Sequence, residues 1–165
     1  MPNTTNFSHI YVEKGAEEYP DTQQICRRFS QAQAVSVDDY KHIFNRPNQR
    51  FQAQKRSMKL ILAVKKDHFL YPGSGYAPDF GYDAFYYSAQ MFNCVYNCDY
   101  CYLQGMYASG NLVIFVNHEA YTTAADERLA AAGRLYLCVS YDTDLLAFEN
   151  VLPLCRRWIE FGRTR

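Results

Sequence analysis

Three cysteines lie close together in the middle of the chain. Cys94, Cys98 and Cys101 are spaced as C-x3-C-x2-C. Thiolates at this spacing can hold one iron–sulfur cluster, and a closed [4Fe–4S] site normally takes four cysteines. Three cysteines would therefore leave one iron open to an outside ligand. Such an iron is a Lewis-acidic, redox-active position, so the spacing predicts a cluster that binds a further molecule.

Two other interpretations of these cysteines stay open: a zinc site and ordinary packing. A structural zinc site usually pairs one Cys knuckle with a second pair of Cys or His downstream. The later candidates, His118, Cys138 and Cys155, show no paired spacing. Buried thiols can also act simply as small hydrophobes. Neither interpretation explains three cysteines so close together with tyrosines flanking the last one, so the pattern favours a cluster.

Composition indicates one globular domain without a charge bias. The 165 residues are 48% hydrophobic and 21% charged, with 17 basic and 17 acidic side chains, so net charge implies no partner. The first residues have neither the basic nor the apolar region of a signal peptide. No apolar run approaches the roughly 18 residues of a membrane span. We therefore expect a soluble, cytoplasmic protein, in a reducing compartment that suits six cysteines.

Hydrophobic patterning predicts alternating strands and helices around the cysteines. The predicted strands are residues 9–13, 59–66, 111–117 and 134–140. The predicted helices are residues 19–31, 122–133 and 150–162. Asp21 and Asn150 are expected to cap the first and last helices, and Gly133 to follow the middle one. Residues 71–82 are rich in Gly and Pro, which predicts a loop leading to the cysteines.

Strands that alternate with helices predict parallel pairing with right-handed crossovers. A parallel sheet must be covered on both faces. The few strands available do not close a barrel, so we expect the chain to be the N-terminal part of a longer one. The basic stretch 41–59 could contact phosphates, but a solvated surface is the simpler interpretation of a single charge run.

The sequence resembles the spore photoproduct lyase family of radical S-adenosylmethionine (SAM) enzymes. C-x3-C-x2-C followed by an aromatic residue is the radical SAM signature, and YCYLQ at residues 100–104 narrows the resemblance. Further segments that resemble the family are residues 9–25, 55–66, 111–120 and 140–151. The similarity spans nearly all of this chain, which corresponds to about the first half of a family member.

The resemblance implies an α/β fold. This fold is the N-terminal part of a partial (β/α)6 radical-SAM barrel, preceded by a small N-terminal α/β segment. Residues 1–84 would form the N-terminal region that leads into the barrel. Residues 85–165 would form its first βα units, with the cluster loop at the barrel mouth.

The resemblance also implies ligands and cofactor contacts. Cys94, Cys98 and Cys101 would bind three irons of a [4Fe–4S] cluster, and the amino and carboxylate groups of S-adenosyl-L-methionine would chelate the fourth. Tyr100 matches a residue whose backbone and ring lie against the adenosyl group. Thr143 falls where the family has a serine that contacts the cofactor.

Two tyrosines are implied to be catalytic. Tyr102 matches a tyrosine implicated in moving the radical. Tyr141 stands where the family places a cysteine whose thiol returns a hydrogen atom to the repaired thymine. Cys138 is the nearest thiol, but three residues along an extended strand it would face the opposite side. The resemblance thus implies either a tyrosine-based return step or a different substrate.

The function implied is that of a radical SAM lyase. Such an enzyme generates a 5′-deoxyadenosyl radical, and the family acts on DNA containing a thymine lesion. An electron donor such as flavodoxin or ferredoxin would reduce the cluster. Two alternatives stay open: a lyase-like radical SAM enzyme with another substrate, and a truncated, non-catalytic iron–sulfur protein.

Overall fold

A computed structural model describes residues 6–165 of the chain. The strands are β1 (His9–Glu13), β2 (Gln33–Val37), β3 (Leu60–Ala63), β4 (Leu70–Pro72), β5 (Phe85–Ser88), β6 (Met91–Phe92), β7 (Leu112–Phe115) and β8 (Tyr136–Cys138). The helices are α1 (Pro20–Arg28), α2 (Lys41–Phe44), α3 (Phe51–Arg56), α4 (Leu103–Met106), α5 (His118–Ala132) and α6 (Leu154–Arg163). A 3-10 turn covers Leu145–Phe148.

The main sheet has the strand order β2-β1-β3-β7-β6. The first four strands are parallel, and β6 runs antiparallel to β7. Every residue of β3 and β7 is buried, as expected for central parallel strands covered on both faces. The predicted buried strands at 59–66 and 111–117 are therefore confirmed, and so is the strand at 9–13.

A smaller sheet has the order β4-β5-β8. Strand β8 falls within the predicted strand 134–140 and pairs in parallel with β5, so it does not extend the main sheet. The predicted loop 71–82 begins inside β4, because Tyr71 pairs with Tyr87 across the antiparallel β4–β5 ladder. The α/β class is confirmed. Barrel closure and the division at residue 84 stay predictions, although the main sheet takes strands from both sides of that residue.

The predicted helix caps are wrong at two N-termini. Tyr19 caps α1, with Pro20 in the first turn and Asp21 inside the helix. Pro20 suits that position because its missing N–H would have no helical partner. Helix α6 begins at Leu154 rather than near Asn150, since the carboxylate of Glu149 accepts the N–H groups of residues 155 and 156 at 2.9 and 3.1 Å.

The middle helix is longer than predicted at its N-terminus. Helix α5 begins at His118 and ends at Ala132, and Gly133, with a φ of 74°, follows it as predicted. His118 is buried, and its ring meets that of Trp158 from α6 edge-on, with centroids 5.2 Å apart. Within residues 6–165, no helix is long and apolar enough to cross a bilayer.

Candidate iron–sulfur site

The cysteine loop connects β6 to α4 and lies where two parallel strands end. The chain leaves β5, passes through β6 and enters the loop at Asn93. The segment 139–144 leaves β8, the parallel neighbour of β5, on the same side. Functional sites of α/β proteins lie at the carboxyl ends of parallel strands. The smaller sheet therefore brings the cysteine loop and residues 139–144 together.

These two segments enclose a cavity of about 340 Å³. Its walls include all three cysteines of the motif and the predicted residues Tyr102, Tyr141 and Thr143. Tyr96, Leu103, Ser140 and Asp144 complete the lining. Six of the seven residues singled out from the sequence thus lie around one cavity. Tyr100 is the exception, since its side chain is 92% exposed and is not part of this wall.

The three thiols of the motif are unpaired, and their role as ligands stays a prediction. All three are free, with Cys94 buried and the other two half-buried. Among residues 6–165, no group of three or more Cys, His, Asp or Glu side chains meets at a point that could hold one metal ion. A [4Fe–4S] cluster makes a different demand, because each cysteine binds a different iron. All three cysteines line one cavity.

Burial raises the pKa of the Cys94 thiol. The backbone N–H groups of Tyr96 and Asp144 oppose this shift by donating to the sulfur, with 3.4 Å between Tyr96 N and Cys94 Sγ. A buried thiolate is costly without a partner. A bound metal or a nearby cation would supply one, so the environment of Cys94 favours a thiolate only in a loaded site.

The loop is held by a residue with unusual backbone geometry. Asn93 is fully buried with a φ of 65°. Its side-chain amide donates to the carbonyls of Ser109 and Asn111, both at 2.7 Å. The hydroxyl of Thr143 donates to the carbonyl of Asn93. Thr143 therefore ties the segment after β8 directly to the start of the cysteine loop.

Tyr102 and Tyr141 are in contact across the cavity. The phenol of Tyr102 donates to the carbonyl of Tyr141. Burial, with a smaller contribution from Asp142, raises the pKa of Tyr102 to about 12. Tyr141 lies in the bend after β8, and its ring centroid is 4.4 Å from that of Tyr87. Cys138 ends β8 and is not among the residues that line the cavity.

The structure brings Lys55, which the sequence does not single out, close to the cysteine loop. Lys55, predicted from the sequence to lie on a solvated surface, is half-buried on α3, and its ammonium group donates to the carbonyl of Cys94. Burial lowers the pKa of Lys55, while the three cysteines of the loop act in the opposite direction. No pattern in the sequence links two residues 39 positions apart, so only the folded chain identifies this contact.

Comparisons with known proteins identify a fold. No protein-family model matches the sequence, and no curated protein sequence matches it. Solved structures of spore photoproduct lyase do. One, complexed with dinucleoside spore photoproduct, has a TM-score of 0.75 and 19% identity over 94% of this chain and 46% of its own. A mutant with bound AdoMet (SAM) and dinucleoside spore photoproduct has a TM-score of 0.73, with the same identity and coverage.

These neighbours confirm the predicted resemblance at the level of the fold. A further spore photoproduct lyase mutant, solved with the dinucleoside, gives a TM-score of 0.74 at 18% identity. The chain spans about half the length of each of these structures. Its mixed α/β architecture is therefore similar to part of the fold of these spore photoproduct lyase structures.

Proposed function

We propose that this chain is part of a radical SAM enzyme of the spore photoproduct lyase type. Cys94, Cys98 and Cys101 would bind three irons of a [4Fe–4S] cluster, and S-adenosyl-L-methionine would bind the fourth. The observation that carries the proposal is that these cysteines share one cavity with Tyr102 and Tyr141. When bound, the cluster and its cofactor supply reductive cleavage of a carbon–sulfur bond and, through it, hydrogen-atom abstraction.

The chain's own residues would position the cofactor and exclude water. Thr143 lines the cavity together with the cysteines, and its bond to Asn93 keeps the two segments together. We assign it the cofactor contact that the family gives to a serine. Tyr100 is assigned to the adenosyl group, and its exposed ring is consistent with a contact made only when the cofactor is bound. Aromatic side chains around the loop provide the apolar wall.

Tyr141 and Tyr102 would donate hydrogen atoms in the step that quenches the substrate radical. The phenol of Tyr141 would give its hydrogen atom to a substrate carbon radical, which forms a C–H bond and leaves a tyrosyl radical. Tyr102 would give a hydrogen atom to this radical and re-form the phenol of Tyr141; the two residues line the same cavity, and the Tyr102 phenol contacts the backbone carbonyl of Tyr141. Each transfer moves one hydrogen atom and leaves the unpaired electron on the donor, so Tyr102 would end as a tyrosyl radical and would need a hydrogen atom from the 5′-deoxyadenosine released by cofactor cleavage.

DNA containing a thymine lesion is the proposed substrate, with flavodoxin or ferredoxin as the electron donor. Neighbouring structures hold dinucleoside spore photoproduct, which supports this choice. One observation favours a second candidate, a radical SAM enzyme acting on a different substrate. By the resemblance, Tyr141 corresponds to the family's cysteine donor, and Tyr141 is one of the residues that line the cavity. A phenol is a different donor from a thiol in size and reach.

The test is anaerobic turnover of the full-length protein with reductant, S-adenosyl-L-methionine and an oligonucleotide containing spore photoproduct. We expect thymine to form, and Tyr141→Phe to lower its rate at least about tenfold. Tyr136→Phe, in β8 and outside the cavity wall, is the matched control. Repair that survives Tyr141→Phe would contradict the tyrosine role. Cofactor cleavage to 5′-deoxyadenosine without any repair would favour a different substrate.

A further inference from the structure

Helix α3 contacts the backbone carbonyls of two cysteines of the loop, Cys94 directly and Cys98 through Gln104. Lys55 donates to the carbonyl of Cys94. Gln52 donates to the side chain of Gln104 at 2.5 Å, and Gln104 donates to the carbonyl of Cys98 at 2.6 Å. Both contacts start from the same short helix, which therefore fixes the spacing of two cysteines that the loop alone would leave variable.

The position of α3 is itself fixed by close backbone packing. A Cβ added to Gly110 would lie 2.6 Å from the carbonyl oxygen of Phe51 and 3.0 Å from the nitrogen of Lys55. Only glycine allows this approach. The side chain of Gln54 also accepts the N–H of Gly110 at 2.8 Å. Lys55 is consequently presented to the loop by a helix anchored against the segment that leads into β7.

The ammonium group of Lys55 is bonded to the cysteine loop in a half-buried environment. Lys55, Cys94 and Cys101 line one small cavity of about 10 Å³, which is at most the space of a single water. The ring of Phe51 covers the group, with 5.6 Å from Nζ to the ring centroid. Within residues 6–165, no carboxylate forms an ion pair with Lys55. Its positive charge interacts instead with the three cysteines of the loop, the nearest contact being the Cys94 carbonyl.

We infer that Lys55 is a positioning residue that also raises the reduction potential of the cluster bound by Cys94, Cys98 and Cys101. This inference rests on the proposed function. One electron from an external low-potential reductant such as dithionite adds one negative charge to the cluster, and no bond or proton need change. A fixed cation in a poorly solvated site stabilises the more negative state. Charge and hydrogen bonding around the ligands are the means by which proteins tune such potentials.

The test compares Lys55→Met, Lys55→Gln and Lys55→Arg in the anaerobically reconstituted full-length protein, without substrate or cofactor. Iron content, circular dichroism and a potentiometric titration followed by electron paramagnetic resonance are measured. We expect Lys55→Met and Lys55→Gln to lower the ratio of reduced to oxidised cluster at a given potential at least tenfold, which is about 59 mV for one electron. Lys55→Arg should keep the wild-type potential, as should Arg56→Met, at an exposed neighbouring position.

Each possible result either supports or overturns the inferred role of Lys55. Folded Met and Gln variants that lose the cluster while the Arg variant keeps it would support a requirement for the charge. An unchanged potential in the Met variant, or loss of the cluster from a folded Arg variant, would overturn the inference and leave the proposed function intact. A wild-type protein that takes up no iron–sulfur cluster would overturn both.

Discussion

Asn93 is the residue on which the start of the cysteine loop depends. It combines a positive φ of 65° with two buried amide hydrogen bonds. Asparagine tolerates this backbone region better than most residues, and its short amide can reach neighbouring carbonyls. A replacement must therefore satisfy both the backbone and the two carbonyl groups of Ser109 and Asn111.

We predict that Asn93→Ala lowers the free energy of unfolding by about 2–3 kcal/mol, because it removes both bonds and strains the backbone. Asn93→Gly should cost about 1 kcal/mol less, since glycine adopts positive φ freely. Urea denaturation of the metal-free protein measures both. Asn48→Ala is the control, because Asn48 also has a positive φ, of 58°, but is exposed. An Asn93→Ala variant as stable as the wild type would contradict this explanation.

Residue spacing identifies only part of the site. The three cysteines could be recognised from the sequence alone, because the C-x3-C-x2-C spacing is short and local. Tyr141 and Thr143 could be selected only through the family resemblance, since they lie some 40 positions further on and reach the cavity through the β5–β8 pairing. Lys55 was missed because its contact depends on how α3 packs against Gly110.

At the scale of elements, apolar runs predicted the buried strands well. Strands β3 and β7 consist entirely of buried apolar side chains, and β1 has an apolar centre between His9 and Glu13. Strand β2 was missed because it is an edge strand with exposed polar residues, so its pattern resembles a loop. The N-caps of α1 and α6 were misassigned because side chains form hydrogen bonds that the local sequence pattern does not reveal. Asp21 binds Arg157 rather than capping α1, and Glu149 caps α6.

The packing of α5 against α6 should make stability depend on pH. His118 is buried between the helices, and burial, followed by the charge of Arg157, lowers its pKa below 6.5. The unfolded chain therefore binds a proton more readily than the folded chain. We predict that stability falls as the pH drops below about 6.5 towards the lower, folded-state pKa, by at most about 1.4 kcal/mol per pH unit for this group.

Chemical denaturation from pH 7.5 to 5 would measure this dependence. His118→Gln should flatten the curve below pH 6.5, although it lowers stability at neutral pH by removing the contact with Trp158. His42→Gln, at an exposed position on α2, controls for the loss of a histidine. A curve for His118→Gln parallel to the wild type would show that His118 does not contribute.

At the scale of the whole molecule, one ion pair joins the beginning of the described chain to its end. Arg157 on α6 makes two hydrogen bonds to Asp21 on α1, at 2.5 and 2.7 Å, and the Asp21 side chain is only 11% exposed. Hydrogen bonding to Asp21 raises the pKa of Arg157. Removing one partner of such a pair leaves the other charge largely buried.

We predict that Arg157→Met lowers the free energy of unfolding by about 2–3 kcal/mol. Arg163→Met breaks the exposed pair between Arg163 and Glu160 and should change stability by less than about 0.5 kcal/mol. Urea unfolding of both variants at pH 7.5 compares them directly. Equal effects of the two substitutions would mean that the α1–α6 pair contributes no more than an ordinary surface contact.

The most direct test of the proposed iron–sulfur site is the iron and sulfide content of the anaerobically reconstituted protein. We predict about four irons and four sulfides per chain, with the visible absorption of a [4Fe–4S] cluster. Replacing Cys94, Cys98 or Cys101 by Ala should abolish this binding, whereas Cys138→Ala, outside the cavity wall, should leave it intact. Stoichiometric zinc in the purified protein, fully retained after Cys98→Ala, would contradict the cluster and the function built on it.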